Sequence, residues 1–384
     1  MSSKIVLALT VLLFVNAFVA LDRHDARAGE VTPAPGYKVL EPIRHGNLTV
    51  FPVVAAKSYS TGEFLTLDEG LRSGEVVVTE AGSVQGLLRR QGPTVMHHDG
   101  ARVNNLVLVN NSKRPLLLLA GEIVSGGKQD RVIGKDRIVP AESDPIDLGV
   151  FCVEPGRWVA STAHFGASEA LYGKASGAGT SNAPAPMAIM AQPSVRAKAM
   201  ADKNQQAVWD AVNLQKQQVT AELSAAAPPA AQNEISRVTS YAKVNENVEV
   251  RKQVDEIVKP IEQNYSSLIL QLRDRNAVGV VVAVNGRIIW ADIFASSDLL
   301  AKYWPKLVRS YASEAYVTRA KEMEVSVNQA QNFLGDMEGR RETIESEPGI
   351  YRHTEVTGDG FKAFALTSLL PKTGFELHVA KMAE

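Results

Sequence analysis

The chain has 384 residues, 45% of them hydrophobic, with 41 Lys and Arg against 42 Asp and Glu, for a net charge of −1. At about 150 residues per domain, this length predicts roughly two domains with cores of ordinary size. Balanced charge without a basic stripe argues against nucleic-acid binding, and a single cysteine, Cys152, excludes an intramolecular disulfide, so stability must come from burial.

Residues 1–28 read as a secretory signal peptide. Lys4 gives a positive start, 5–21 is almost continuously apolar, and Ala26-Arg27-Ala28 is a small-x-small cleavage site. A protein exported to the periplasm or the extracellular space and cut near Ala28 is expected; the alternative is a retained N-terminal anchor. No later stretch is long and apolar enough to span a bilayer, so no membrane contact beyond that segment is expected. Residues 29–45 carry Pro33, Pro35 and Pro42 and read as an exposed lead-in.

Residues 46–174 predict a β-rich domain. Strands are expected at 48–54, 75–80, 84–89, 105–109, 116–119, 123–124, 131–139 and 147–153, with a short helical turn from 66 that ends near Gly74. Pro52 points to an edge position for the first strand. Short strands at intervals of ~8–12 residues, joined by Gly, Pro and Asn turns, read as a sandwich or a cupin-like barrel, and spacing leaves both open.

Residues 175–200, rich in Gly, Ala, Ser, Pro and Met, read as a linker. Residues 201–384 predict a mixed helix and sheet domain, so the fold class is α+β. Helices are expected at 203–222 and 246–272, with Pro260 ending or kinking the second. Asn285-Gly286 between apolar runs at 278–283 and 287–294 is a hairpin signal. Ser297-Asp298 caps a helix whose Leu300, Trp304, Leu307, Val308, Tyr311 and Ala315 recur at helical spacing as core. Strands at 349–356, 361–368 and 375–381 follow.

Candidate chemistry concentrates between 117 and 158. Gly126 and Gly127 allow a tight turn whose N–H groups form an anion nest. Lys128 and Arg131 beside it suit phosphate or carboxylate, and Gln129 and Asp130 complete the island. Asp130 neutralising Arg131 would instead make it a solvated hairpin tip. Glu122 follows a run of leucines and needs a partner, with Lys128 or Arg131 the nearest. The candidate ligand surface is therefore Glu122, the 126–131 island and Glu154, Arg157 and Trp158.

For catalysis, Glu122 and Glu154 are the acid/base candidates and Cys152 the nucleophile candidate, with His164 the nearest histidine in sequence. The structural alternatives are a small apolar core cysteine, a Glu154–Arg157 ion pair and a core-plugging Trp158. The seven histidines show no metal-ligand spacing; His97-His98-Asp99 reads as a solvated turn, and no metal or cofactor is implied.

Gly121-Glu122, Gly127-Lys128-Gln129-Asp130-Arg131, Cys152-Val153-Glu154 and Gly156-Arg157-Trp158 together resemble the ARG and Rhodanese-Phosphatase-superfamily-associated protein domain. Leu65-Thr66-Leu67-Asp68-Glu69-Gly70, Gln206-Ala207-Val208-Trp209, Asn285-Gly286 and Lys306-Leu307-Val308-Arg309-Ser310-Tyr311 agree in order. The resemblance covers roughly 40–384. It implies an association with ADP-ribose-related and phosphatase-like proteins and carries over no catalytic residue. An exported, non-catalytic module that binds a small anionic ligand or a protein partner is the leading expectation. A hydrolase of phosphorylated or ADP-ribose-like substrates and a structural envelope protein are the alternatives.

Overall fold

A computed structural model of the protein describes residues 36–80, 104–156, 165–166, 189–226, 229–272, 276–318 and 323–384. The signal segment 1–28 and the strand expected at 84–89 lie outside these residues. The first elements are β1 (Lys38–Val39), β2 (Ile43–His45), β3 (Leu48–Ala55), β4 (Leu65–Thr66), α1 (Leu67–Ser73), β5 (Val76–Glu80) and β6 (Asn105–Asn110). Then come β7 (Leu116–Leu118), β8 (Glu122–Gly126), β9 (Arg131–Ile133), β10 (Arg137–Val139), β11 (Ile146–Cys152), β12 (Phe165–Gly166) and β13 (Ile189–Met190). The helical part holds α2 (Pro193–Ala197), a π-helical turn (Lys198–Asp202), α3 (Gln205–Ala226), α4 (Pro229–Arg237), α5 (Tyr241–Glu246) and α6 (Val248–Gln271). It is followed by β14 (Asn276–Val284), β15 (Arg287–Phe294), α7 (Ser297–Val317), α8 (Val327–Gly335), β16 (Arg340–Glu347), β17 (Tyr351–Gly358), β18 (Phe361–Ser368) and β19 (Glu376–Ala383).

The fold is α+β, and of the two arrangements open from spacing the barrel forms. Strands run in the order β12-β5-β6-β11-β9-β8, and β12 closes the ring because Phe165 pairs with Val78 on one side and Gly126 on the other. Inward residues such as Val78, Leu108, Val124, Ile133 and Val150 fill it, as alternation along each strand requires. Closure leaves these six strands no free edge.

The larger sheet has the order β1-β3-β14-β15-β19-β18-β17-β16, with β2 also on β3, so strands from both halves of the chain share it. Pro52 is not at an edge: β3 pairs with β14 from Leu48 to Ala55 and with β1 and β2 on its other side. The Pro52 carbonyl accepts from Leu40. The missing N–H points to that same side, where β1 has ended and β2 has not begun, so no ladder bond is lost. Pro260 neither ends nor splits α6, which runs through it. Val250, Val254, Val258 and Ile261 anchor that helix in the core on both sides of the proline.

Residues 189–200, read as part of a linker, instead form β13, α2 and the start of the π-helical turn, with Met190, Val195 and Met200 buried. Other local signals behave as read. Thr66 and Glu69 form a capping box at α1. Asn285 and Gly286 take φ of 52° and 70°, the pair of positive values that a tight primed turn needs. Ser296, one residue earlier than expected, caps α7. One difference positions the site: 131–139 is not a single strand. It breaks at Gly134-Lys135-Asp136 into β9 of the barrel and β10, which pairs with β7. Among the described residues no helix is long and apolar enough to cross a membrane.

Candidate functional site

In the strand-end island the protein's own carboxylates take the backbone N–H groups of Gly126 and Lys128. Asp130 Oδ1 accepts from the Gly126 N–H at 3.0 Å, and Glu80 Oε1 accepts from the Lys128 N–H at 2.8 Å. Gly127, at φ 50°, has no room for a Cβ, which would fall 2.2 Å from the Phe165 ring. The Gln129 amide donates to the Glu154 carbonyl at 3.1 Å, and the Asp130 N–H to Glu154 Oε2 at 3.1 Å. The Ser240 hydroxyl closes on Asp130 Oδ2. Arg131 has no solvent exposure. Its register opposite Val124 and Cys152 turns it into the barrel, where it bonds the Asp130 carbonyl. Burial pushes the Cys152 thiol up, which disfavours the thiolate that a nucleophile needs. Arg157, Trp158 and His164 lie outside the described residues.

Glu122 is held from elsewhere. Its partner is Lys306 of α7, which also lies 2.5 Å from Asp68 of α1. The second Glu122 oxygen accepts from the Leu119 N–H at 2.7 Å. Burial disfavours the Lys306 ammonium, but Asp68 and Glu122 outweigh it and hold Lys306 above its ordinary value. Burial pushes Glu122 upward against the pull of Lys306. The geometry therefore brings Gln129, Asp130, Arg131, Cys152 and Glu154 together and ties Glu122 to the helical layer through α7.

A second buried network escaped the sequence reading. Arg196 of α2 makes two parallel bonds to Asp292 of β15, at 2.9 and 3.1 Å. Tyr311 of α7 donates to the same carboxylate. His378 of β19 sits between two acids, with Nδ1 2.6 Å from Asp136 Oδ2 and Nε2 3.0 Å from Asp292 Oδ1. Asp136 also accepts from the Ala120 N–H at 2.7 Å, and the Arg196 guanidinium lies 4.5 Å over the Trp290 ring. Burial works against an imidazolium, but Asp136 and Asp292 outweigh it and hold His378 up at about 9. Two carboxylates face two cations, and every charge is paired. The signal was available: Asp292 shares its strand phase with Trp290 and Phe294, so it points inward.

An open feature lies beside this network. A cavity of about 350 Å³ opens between the β9–β10 break, β11, the π-helical turn and the β17–β18 strands. His353 of β17 lines it at 1% exposure, and neither ring nitrogen has a hydrogen-bond partner among the described residues. Burial pushes this imidazole down to about 4, with Lys135 and Lys203 adding to the effect and Asp136 opposing it. Lys135 and Lys203 line the same cavity and pair with Glu345 and with Glu355, the latter at 3.0 Å. Met200 enters from the π-helical turn. Lys203 ends that turn at φ 51°, an uncommon value for a residue with a side chain. Single π turns inside helices recur at functional sites.

Residues 36–380 match the model of the family described as the ARG and Rhodanese-Phosphatase-superfamily-associated Protein domain. The chain belongs to that family. No curated protein and no solved structure matches it. The match to the ARG and Rhodanese-Phosphatase-superfamily-associated Protein domain spans the filled nest, the Arg196–Asp292–His378 network and the cavity alike. Of the motifs that carry the resemblance, Gln129, Asp130, Arg131, Cys152, Val153 and Glu154 are buried and Lys128 is half-buried. The cavity residues His353, Lys135 and Lys203 stood outside every motif, and no local spacing marked them.

Proposed function

We propose that this family member is an exported, non-catalytic module that binds a small anionic ligand, and that the ligand sits in the cavity lined by His353. One observation carries the reading: a cavity has two lysines in its wall together with a buried imidazole whose nitrogens are unbonded among the described residues. Buried polar groups in native folds almost always have partners, and a concave, largely apolar space with a few convergent polar groups is the usual form of a small-molecule site. The strand-end island supports the ligand reading less, because Glu80 and Asp130 already fill its nest. The acid/base pair of the hydrolase alternative is likewise engaged. Glu122 and Glu154 are 0% and 2% exposed, and each is bonded within the protein.

A thermal-shift screen of nucleotides, sugar phosphates and carboxylates tests this. Gly149 lines the cavity and has open space where a side chain would begin, so Gly149→Leu adds a side chain at the cavity wall. The expected result is a ligand-dependent rise in the wild-type Tm that Gly149→Leu removes and Lys128→Ala keeps. The opposite pattern returns the site to the strand-end island, and no shift with any anion overturns the reading. Export is tested by N-terminal sequencing of protein recovered outside the cytoplasm; an intact Met1 there overturns cleavage near Ala28. A structural envelope role is the second reading, favoured by the closed buried ion network, and turnover of no substrate with unchanged Tm in every ligand would support it.

A further inference from the structure

Three ionisable side chains meet in a dry part of the core that the ligand-binding reading does not use. Lys306 of α7 lies 2.5 Å from Asp68 Oδ2 of α1 and also bonds Glu122 Oε1 at the start of β8. The three side chains are 3%, 5% and 0% exposed. Leu67 and Leu119 beside them are fully buried, and the Tyr303 ring lies 4.5 Å from the ammonium. Three ionised groups in such a place cost desolvation that their attraction seldom repays. An amide between Lys306 and Asp68 removes two of those charges at once.

The contact has the form that this reaction needs. The Lys306 nitrogen already touches an Asp68 oxygen, one bond from the carbon to be attacked, and a fixed pairing replaces a chance encounter. Burial presses the proton off Lys306 while Asp68 and Glu122 hold it on, so it leaves only to one of those carboxylates. The second Glu122 oxygen is pinned by the Leu119 N–H at 2.7 Å, which leaves the oxygen facing Lys306 to carry protons. Burial pushes the Glu122 carboxyl up, toward the range in which it takes a proton and returns it. A small cavity of about 30 Å³, lined by Met190, Lys306 and Ser310, has room for one released water.

Independently of the cavity beside His353, we propose that Lys306 and Asp68 join in an intramolecular isopeptide bond, formed by the protein itself with Glu122 as proton carrier. The Lys306 ammonium first passes one proton to the Asp68 carboxylate. The free amine attacks Cγ, and Glu122 takes the next proton from the nitrogen. Glu122 then gives that proton to the hydroxyl leaving Cγ. One C–N bond forms, one C–O bond breaks and one water departs. Nothing is oxidised or reduced, and Glu122 ends as it began. The product ties α1 to α7 across 238 positions in a chain whose single cysteine allows no intramolecular disulfide.

Tryptic digestion of the purified wild type, read by mass spectrometry, tests this. The expected product is one branched peptide in which 58–72 is joined to 303–309, one water lighter than the two together, with Lys306 uncut. Asp68→Asn yields the same branched peptide, because a side-chain amide is attacked in the same way and releases ammonia. Asp68→Ala and Lys306→Arg yield none. Glu122→Gln, sampled over hours after synthesis alongside the wild type, joins about a hundredfold more slowly. Free 58–72 with cleavage after Lys306 in the wild type overturns the bond, whether or not the variants fold. Lys306 joined to Glu122 instead overturns Asp68 as the partner, and joining in Glu122→Gln at the wild-type rate overturns Glu122 as the proton carrier.

Discussion

His378 and His353 stand in one row of the large sheet, each opposite Leu366 of the strand between them, and they could hardly be more different. Both are buried at 1% exposure or less. His378 is bonded through both nitrogens and held at about 9, whereas His353 is bonded through neither among the described residues and held at about 4. Burial alone depresses a histidine, so what separates them is the company supplied by the β9–β10 break. Its Asp136 reaches His378, and the adjacent Lys135 lines the cavity of His353. One short interruption in a strand thus gives one imidazole an acid partner and leaves its neighbour a buried, uncharged group beside the cavity.

The sharpest way to break this contrast is to unpair the closed network. Arg196→Met leaves the Asp292 carboxylate buried without its bidentate partner, and a loss of roughly 3–5 kcal/mol in urea unfolding is expected. A loss below about 1 kcal/mol would mean that the network is not the sealed unit described. The two histidines can then be compared directly. His378→Phe strands Asp136 and Asp292 and should cost about 3 kcal/mol or more, while His353→Phe replaces an unbonded polar ring by an apolar one and should change stability by less than about 1 kcal/mol, in either direction. Similar losses in both variants would show that His353 has a structural partner after all.

Titration sharpens the same pair. His378 is raised above its unfolded value near 6.5. Its contribution is full below that pH and is lost as pH rises through about 9. His353 is depressed, so its neutral form favours the fold. Stability is full above about 6.5 and falls as the pH drops toward 4, by about 3 kcal/mol at 1.36 kcal/mol per unit. Unfolding free energies measured from pH 4 to 9 should therefore show the acid arm flattened in His353→Phe and the alkaline arm flattened in His378→Phe. An acid arm unchanged in His353→Phe would refute the depressed imidazole. The smallest effect is expected at the rim, where Lys203→Ala removes a half-exposed ion pair and should cost under about 1 kcal/mol in the same unfolding assay.

The sequence was legible wherever structure is local. Thr66 with Glu69, Asn285-Gly286 and the Leu300 to Ala315 spacing each encode their element within a few residues, and β-strand spacing narrowed the first half to two arrangements. Long-range charge pairing was not legible. Glu122 needed a partner, as burial after a leucine run requires, but that partner is Lys306, 184 positions away; nearby Lys128 and Arg131 were plausible only by proximity. Gly126 and Gly127 pointed to a tight turn with free N–H groups, yet chain order says nothing about whether Glu80, Asp130 or a solute takes them. The cavity is harder still, since Lys135, Lys203 and His353 come from three separate elements and meet only because β9 and β10 part.

The Arg196–Asp292–His378 knot joins residues from β19 to the loop at Ala120 and to α2. In chain order the Arg196–Asp292 pair is complete at residue 292, whereas Asp136 gains its counter-ion only when His378 arrives. Until the last strand is in place, one acid of the buried network stands without its cation. Docking of the final strand works as a latch on this network, joining β19 to the β9–β10 break and to β15.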